Sequence, residues 1–337
     1  MEKIKRDNLT AIAVSNPNIA FIKYWGNRDS NVRIPSNGSI SMNLGGLYSR
    51  TRVTFLPGFI SDRFNLNDLP MEGVALQRVS QLLDRVRKMG GVQMFAEVQS
   101  HNNFPTGSGL ASSASGFAAL TLASCRAVGL EFGERELSRL ARYASGSACR
   151  SIPGGFVEWQ AGEDEMSSYA FSIAPPEHWD LADCIAIVSQ AHKATSSFEG
   201  HALADTSVLQ YARLLDATRR LDLCRRAILD RDFEALAEIV ELDSNLMHAV
   251  IMTSTPRLLY WQPATLEVMG SVAEWRNERY PVCYTVDAGP NVHVLCLGSW
   301  SDRVANRLSK IPGVSNVLTA HPGGPAHCVL SDDFTNY

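Results

Sequence analysis

Four short stretches of the chain hold residue types that can do phosphoryl and carboxylate chemistry. The first runs through Pro105, Thr106, Gly107, Ser108, Gly109, Leu110, Ala111, Ser112 and Ser113, small residues placed directly before a predicted helix. Glycines let the backbone approach a ligand closely, and a helix start turns free N–H groups and partial positive charge toward an anion. Ser112 and Ser113 add hydroxyls that can donate to a phosphate or offer an oxygen to magnesium. No lysine closes the loop, so it is not the Gly-Lys-Ser/Thr form of phosphate loop, and taken alone it reads as a turn capped by serine.

The second stretch, Asn18 to Asp29, places Lys23 among bulky neighbours including Tyr24 and Trp25. An ammonium enclosed there needs an anion beside it, whereas a lysine at a strand end needs nothing. The third, Ser145 to Ser151, sets Arg150 among small residues, where a guanidinium can take a carboxylate or phosphate through two parallel hydrogen bonds. The fourth carries Asp287 at a predicted strand end, followed by Gly289 and Pro290. Acids at such corners form turns, and catalytic acids are also placed there.

The elements that must position these residues follow from periodicity and turn residues. Leu9–Val14 and Arg50–Phe55 read as strands, so the front of the chain is mostly sheet. Apolar residues at Leu76, Val79, Leu83 and Val86, stopped by Gly90 and Gly91, predict a helix over Val74–Met89. Phe95–Val98 reads as a strand entering the small-residue loop, Ser112–Val128 as the segment after it, and Glu134–Tyr143 as a second helix. Beyond a seam over Ala174–Asp183, Cys184–Val188 reads as a strand. Helices are expected over Ser207–Leu229, Asp232–His248, Pro263–Arg279 and Ser301–Lys310, and strands over Val282–Val286, Val292–Leu297 and His327–Leu330.

A length of 337 residues with 45% hydrophobic and 20% charged residues predicts a globular chain of two domains. The formal net charge of −4 lacks the basic excess of a nucleic-acid binder, so an anionic ligand must be held by a local pocket. A polar start from Met1 to Thr10 and the lack of a long apolar run predict a cytoplasmic protein. The seven cysteines are scattered without zinc-like spacing and read as buried thiols, Cys149 included.

Taken together, the segments resemble the diphosphomevalonate decarboxylases and their phosphomevalonate decarboxylase relatives, a branch of the superfamily of galactokinase, homoserine kinase, mevalonate kinase and phosphomevalonate kinase. The resemblance is carried by NIAFIKYWGNRD from Asn18, NNFPTGSGLASSASGFAAL from Asn102, SGSACRSIPGGFVEW from Ser145, DSNLMHA from Asp243 and DAGPNV from Asp287. It extends from about Ala13 to the last strand. The small-residue loop points only to the superfamily, whereas the KYWG and SGSACRS segments point to the decarboxylase branch.

The resemblance implies an α+β fold of two GHMP kinase-like domains. These are an N-terminal, ribosomal protein S5 domain 2-like ATP-binding domain over 1–182 and an α/β domain over 183–337. It implies ATP and magnesium as reaction partners, a phosphorylated mevalonate as substrate, and a homodimer. By resemblance, Asp287 accepts or orients the proton of a tertiary alcohol, Lys23 sits beside that acid, and Arg150 clamps the substrate carboxylate. Asn18, Ser145 and Ser147 complete the substrate contacts. Asn103, Pro105 and Gly107 to Ser113 cradle the nucleotide phosphates, with Ser112 or Ser113 near the metal.

Two positions depart from the family pattern. Decarboxylases of this kind generally read KYWGK, and that second lysine contacts the substrate's diphosphate; here it is Asn27. Where bacterial members have Ser-Ser-Arg, a spacer and Gly-Met, this chain has Ser196, Ser197, Phe198, Glu199, Gly200 and His201. Two lost charged hydrogen bonds, at roughly 1.5–3 kcal/mol each, weaken diphosphate binding by about two to four powers of ten. A monophosphate loses less and keeps Tyr24, Ser197 and His201, so phosphomevalonate is the expected substrate. Diphosphomevalonate is the alternative, and a mevalonate 3-kinase is a third reading.

Overall fold

The computed structural model describes residues 9–105, 112–189 and 195–330. Residues 106–111, which hold most of the small-residue loop, lie outside the described residues. The described helices are α1 (Gly73–Gly90), α2 (Ser112–Ala127), α3 (Glu134–Ala144), α4 (Ser197–Leu203), α5 (Gln210–Leu215), α6 (Ala217–Asp230), α7 (Phe233–Thr253), α8 (Pro263–Asn277) and α9 (Ser301–Leu308).

A six-stranded sheet has the order His327–Val329, Leu9–Ser15, Ser49–Leu56, Phe95–Asn102, Arg63–Leu66, Leu69–Pro70. Its long strands alternate, and one face is buried under α1, α2 and α3 through Val53, Phe55, Val98, Leu83, Leu120 and Leu140. α1 ends as its glycines predict: Gly91 is left-handed and returns its N–H to the Arg87 carbonyl.

A second sheet runs Tyr169–Ala174, Phe156–Gln160, Ser39–Gly45, Asn316–Pro322, Leu181–Ile187, Val292–Leu297, Val282–Val286, and Asn18–Ile22 also pairs with Ser39–Gly45. The sheet therefore joins strands from both halves of the sequence. Along Leu181–Ile187, Ile185 joins a core with α6 and α7 residues such as Ile228 and Val240, while Cys184 and Ala186 join Val272 and Val304 from α8 and α9. Both faces are covered, which explains why this strand reads as an unbroken apolar run.

Two expectations change. The helix expected over Ser207–Leu229 is broken into α5 and α6 at Asp216, whose ψ of 0 leaves the helical region. The Asp216 carboxylate there accepts from Arg219 and Arg220. The helix expected over Asp232–His248 runs on to Thr253, capped at its start by the Asp232 side chain, which accepts the Ala235 N–H. Six of the seven cysteines are buried, and Cys328 is exposed. Among the described residues, no helix is long and apolar enough to cross a membrane.

Candidate active site

Lys23 follows the fully buried strand Asn18–Ile22, and Asp287 follows the fully buried strand Val282–Val286. Their side chains meet with Nζ and Oδ1 2.5 Å apart; the lysine is almost wholly buried and the carboxylate is about a quarter exposed, toward a cleft. Burial alone would raise the Asp287 pKa, but Lys23, His293 and Arg150 outweigh it and hold the group below the usual carboxylate range. The acid is thus ionised and can accept a hydrogen bond or a proton.

The main chain at Lys23 is held from three helices. Its N–H donates to Asp243 Oδ2 of α7 at 2.6 Å, and its carbonyl accepts from Arg213 Nη2 of α5 at 2.7 Å. Arg220 of α6 donates to Asp243 Oδ1 at 2.7 Å and to the Arg213 carbonyl at 2.9 Å. Asn37 adds a bond to the Lys23 carbonyl. On the other side, His248 Nε2 lies 3.1 Å from the Val286 carbonyl, directly before Asp287. Burial pushes the His248 pKa down to about 4, so near neutrality the ring is uncharged and donates that bond.

Arg150 is buried in the short helix Gly146–Ser151. Its Nε donates to Asn18 Oδ1 at 3.2 Å and its Nη1 to Ser39 Oγ at 2.5 Å, and Nη2 has no protein partner among the described residues. Asn18 in turn donates to Ser151 Oγ and the Ser147 carbonyl. The guanidinium is therefore oriented from behind, in the same cleft as Asp287. Ser145 and Ser147 line it beside Arg150.

In the same cleft Tyr24 packs its ring against Gly146, where a Cβ would lie 2.6 Å from the ring. Glycine is required at that point. The Tyr24 hydroxyl donates to Asn27 Oδ1 at 2.5 Å, and burial raises its pKa. His201 stacks on Tyr24 with centroids 4.1 Å apart and accepts the Gly26 N–H at Nδ1, which leaves its proton on Nε2 in a neutral ring. Ser197 begins α4, a helix capped by the Ser196 and Glu199 capping box, and both Ser197 and Phe198 line the cleft. Asn27 binds Tyr24 and is not itself among the cleft-lining residues.

Ser112 and Ser113 open α2 and line both this cleft of about 320 Å³ and a neighbouring pocket of about 160 Å³ walled by Phe64, Leu66 and Met71. Asn102 lines the smaller pocket, while the Asn103 amide is turned away, donating to the Gly46 carbonyl and accepting the Tyr48 N–H. Pro105 is described and half-buried; Gly107, Ser108, Gly109, Leu110 and Ala111 lie outside the described residues. Among the described residues no cluster of three or more His, Cys, Asp or Glu is arranged to hold a metal ion. Cys149 is buried with its thiol pushed up to about 12, first by burial, which leaves it un-ionised and a poor nucleophile.

Sequence reasoning missed Asp243, Arg213 and Arg220 as the frame behind Lys23, and Ser39 behind Arg150. It also gave no role to Arg78, which lines the cleft with Arg33. The DSNLMHA segment was the available signal for Asp243, since it joins an acid and a histidine five residues apart on one helix.

Two family models match the chain: a diphosphomevalonate decarboxylase-like N-terminal domain over residues 15–170 and a mevalonate 5-diphosphate decarboxylase C-terminal domain over 184–327. A diphosphomevalonate decarboxylase of Candida albicans is 37% identical over 90% of this chain and 90% of its own length. A phosphomevalonate decarboxylase of Haloferax volcanii is 33% identical over 94% of this chain and 97% of its own. Among solved structures, MDDEF in complex with MVAPP, AMPPCP and magnesium superposes with a TM-score of 0.90 at 35% identity, covering 96% of this chain and 99% of that one. The chain thus has the two-domain α+β fold of those enzymes, and it belongs to the diphosphomevalonate decarboxylase family, catalysing a decarboxylation of the mevalonate pathway.

Proposed function

We propose that this chain is an ATP-dependent phosphomevalonate decarboxylase, converting (R)-5-phosphomevalonate to isopentenyl phosphate with release of ADP, inorganic phosphate and carbon dioxide. The observation that carries the reading is the pair of departures at Asn27 and Phe198. By resemblance, Asn27 stands where the family generally has a lysine for the diphosphate and Phe198 where bacterial members have an arginine, and the Asn27 side-chain carbonyl already accepts from the Tyr24 hydroxyl. A monophosphate needs fewer donors, and Ser197 and His201 line the cleft where it would sit.

In this reading the Asp287 carboxylate, kept ionised by Lys23, takes the proton of the C3 hydroxyl as that oxygen attacks the terminal phosphoryl of ATP. Arg150 holds the C1 carboxylate through its remaining donors, aligning the C1–C2 bond with the C3–O bond. Carbon dioxide then leaves, the C1–C2 electron pair becomes the C2–C3 double bond, and the 3-phosphate departs with the C3–O pair. Lys23 and Arg150 offset the charge that develops on the leaving phosphate.

The start of α2 fits a nucleotide phosphate, because Ser112 and Ser113 stand between the cleft and the smaller apolar pocket, which suits a base. Magnesium would be held by these hydroxyls together with the nucleotide's own phosphates. When bound it supplies charge neutralisation at the transferring phosphoryl group. The relative solved with MVAPP, AMPPCP and magnesium supports this assignment. A homodimer in the cytoplasm completes the reading, on the strength of the resemblance.

Diphosphomevalonate as substrate is the second reading, favoured by Arg33, a cation in the cleft itself. The test is product analysis with ATP and magnesium. Phosphomevalonate should give ADP, carbon dioxide and inorganic phosphate in equal amounts, with isopentenyl phosphate. ADP without carbon dioxide would mean a kinase, and turnover confined to diphosphomevalonate would replace the substrate.

A further inference from the structure

Two guanidiniums outside the recognised segments reach the cleft. Arg33 lies in the turn between Asn27–Asp29 and Ile34–Pro35, with a φ of +51, a conformation that is unfavourable for a residue with a Cβ. Arg78 is on α1. Both are steered by the same helix end: Arg33 Nε donates to the Tyr143 carbonyl and Arg78 Nη2 to the Ala144 carbonyl, each at 2.7 Å. These are the last two carbonyls of α3, at the negative end of its dipole, and Ser145 follows at once.

Both cations keep N–H groups that have no hydrogen-bond partner among the described residues. Arg78 Nε is buried with no hydrogen-bond partner, and the Nη groups of Arg33 have none among the described residues. Burial, and then the charge of Arg33, push the Arg78 pKa down to about 10. Burial lowers Arg33 as well. Two partly desolvated like charges with donors to spare are stabilised by an anion placed between them. Among the described residues Asp287 is the one carboxylate that lines the cleft, and it is paired with Lys23. The Arg33 guanidinium also lies over the Phe198 ring, 4.9 Å from its centroid, so Phe198 backs the cation that faces the cleft.

We propose that Arg33, seated beside Arg78, binds the 5-phosphate of the substrate and sets specificity for a phosphorylated tail. This rests on the reading of the cleft as the site of a phosphorylated mevalonate. Arg78, which also lines the smaller pocket, stands between that phosphate and the nucleotide side. A nucleotide phosphate is the other source of the same chemistry, and the experiment separates the two.

The experiment compares the full-length wild type with Arg33→Gln, Arg33→Lys and Arg78→Lys, measuring kcat, KM for phosphomevalonate, KM for ATP, and Tm. Loss of one charged contact corresponds to about a 10- to 100-fold change in affinity. Arg33→Gln should raise KM for phosphomevalonate by that factor with kcat within about threefold and KM for ATP within about twofold, and Arg33→Lys should recover part of the loss. A rise in KM for ATP alone would assign the anion to the nucleotide and overturn the proposal. A fall in Tm and kcat with KM for substrate unchanged would make Arg33 a merely structural turn residue and overturn it too. If the wild type prefers diphosphomevalonate, the monophosphate reading fails separately. The role of Arg33 is then judged by whether Arg33→Gln raises KM for diphosphomevalonate.

Discussion

Lys23 and Asp287, 264 residues apart in sequence, meet across the cleft with Nζ and Oδ1 2.5 Å apart. Neither position is a local accident. One ends a strand held by Asp243 and Arg213, and the other ends a strand whose last carbonyl is bonded to His248. The pair is a fixed charge arrangement that keeps an acid ionised where an alcohol would enter.

Asp287→Asn should therefore lower product formation by about 10²- to 10⁴-fold, because the amide keeps the shape but cannot take a proton. Nucleotide affinity should stay within a few-fold. Steady-state rates with parallel ADP-binding titrations check both parts, and near-normal turnover would remove Asp287 from the chemistry.

Arg150→Lys should lose most turnover while the fold persists. Asn18 and Ser39 orient a planar guanidinium, and a lysine ammonium cannot bond both and still present donors to a carboxylate. The expected signature is a fall in kcat larger than the rise in KM, since alignment matters most in the cleavage step. An unchanged kcat would mean that another group holds the carboxylate.

Asp243→Ala should destabilise the protein by about 3–5 kcal/mol, because it leaves the fully buried Arg220 without its buried partner and frees the Lys23 N–H. Urea midpoints at pH 7 measure this. A loss below about 1 kcal/mol would show that Asp216, the other partner of Arg220, suffices.

How far the site was legible in the sequence differs from residue to residue. Lys23, Arg150 and Asp287 stood in recognisable segments, and the structure brings all three to one cleft. The Gly-stopped helix over Gly73–Gly90 was readable from apolar spacing. The strand Asn18–Ile22 was not, since every residue is buried and no alternation survives. The break at Asp216 was hidden as well, because α5 and α6 continue one apolar periodicity across it. Arg33 and Arg78 could not be joined by spacing, because what brings them together is the end of a third element, α3.

Acid should weaken the fold through His248. Its folded pKa of about 4 lies below an unfolded value of about 6.5, so between those values the unfolded chain binds a proton that the folded chain refuses. Stability then rises with pH across that window, and the full penalty, on the order of 3 kcal/mol, is present below about pH 4. His248→Gln should flatten the profile of unfolding free energy between pH 4 and 6.5; an unchanged slope would assign the acid sensitivity to other groups.

The double substitution Asn27→Lys with Phe198→Arg should move preference toward diphosphomevalonate, by a few kcal/mol at most because new cations lose hydration and side-chain freedom on binding. The ratio of kcat/KM for the two substrates, compared between variant and wild type, reads the shift. A ratio that stays at the wild-type value would show that these positions do not govern the tail of the substrate.

The most direct measurement is that same ratio in the wild type, taken from carbon dioxide release with saturating ATP and magnesium. The monophosphate assignment predicts kcat/KM for phosphomevalonate above that for diphosphomevalonate, by about ten-fold or more given the missing cations at Asn27 and Phe198. A ratio in favour of diphosphomevalonate would contradict it.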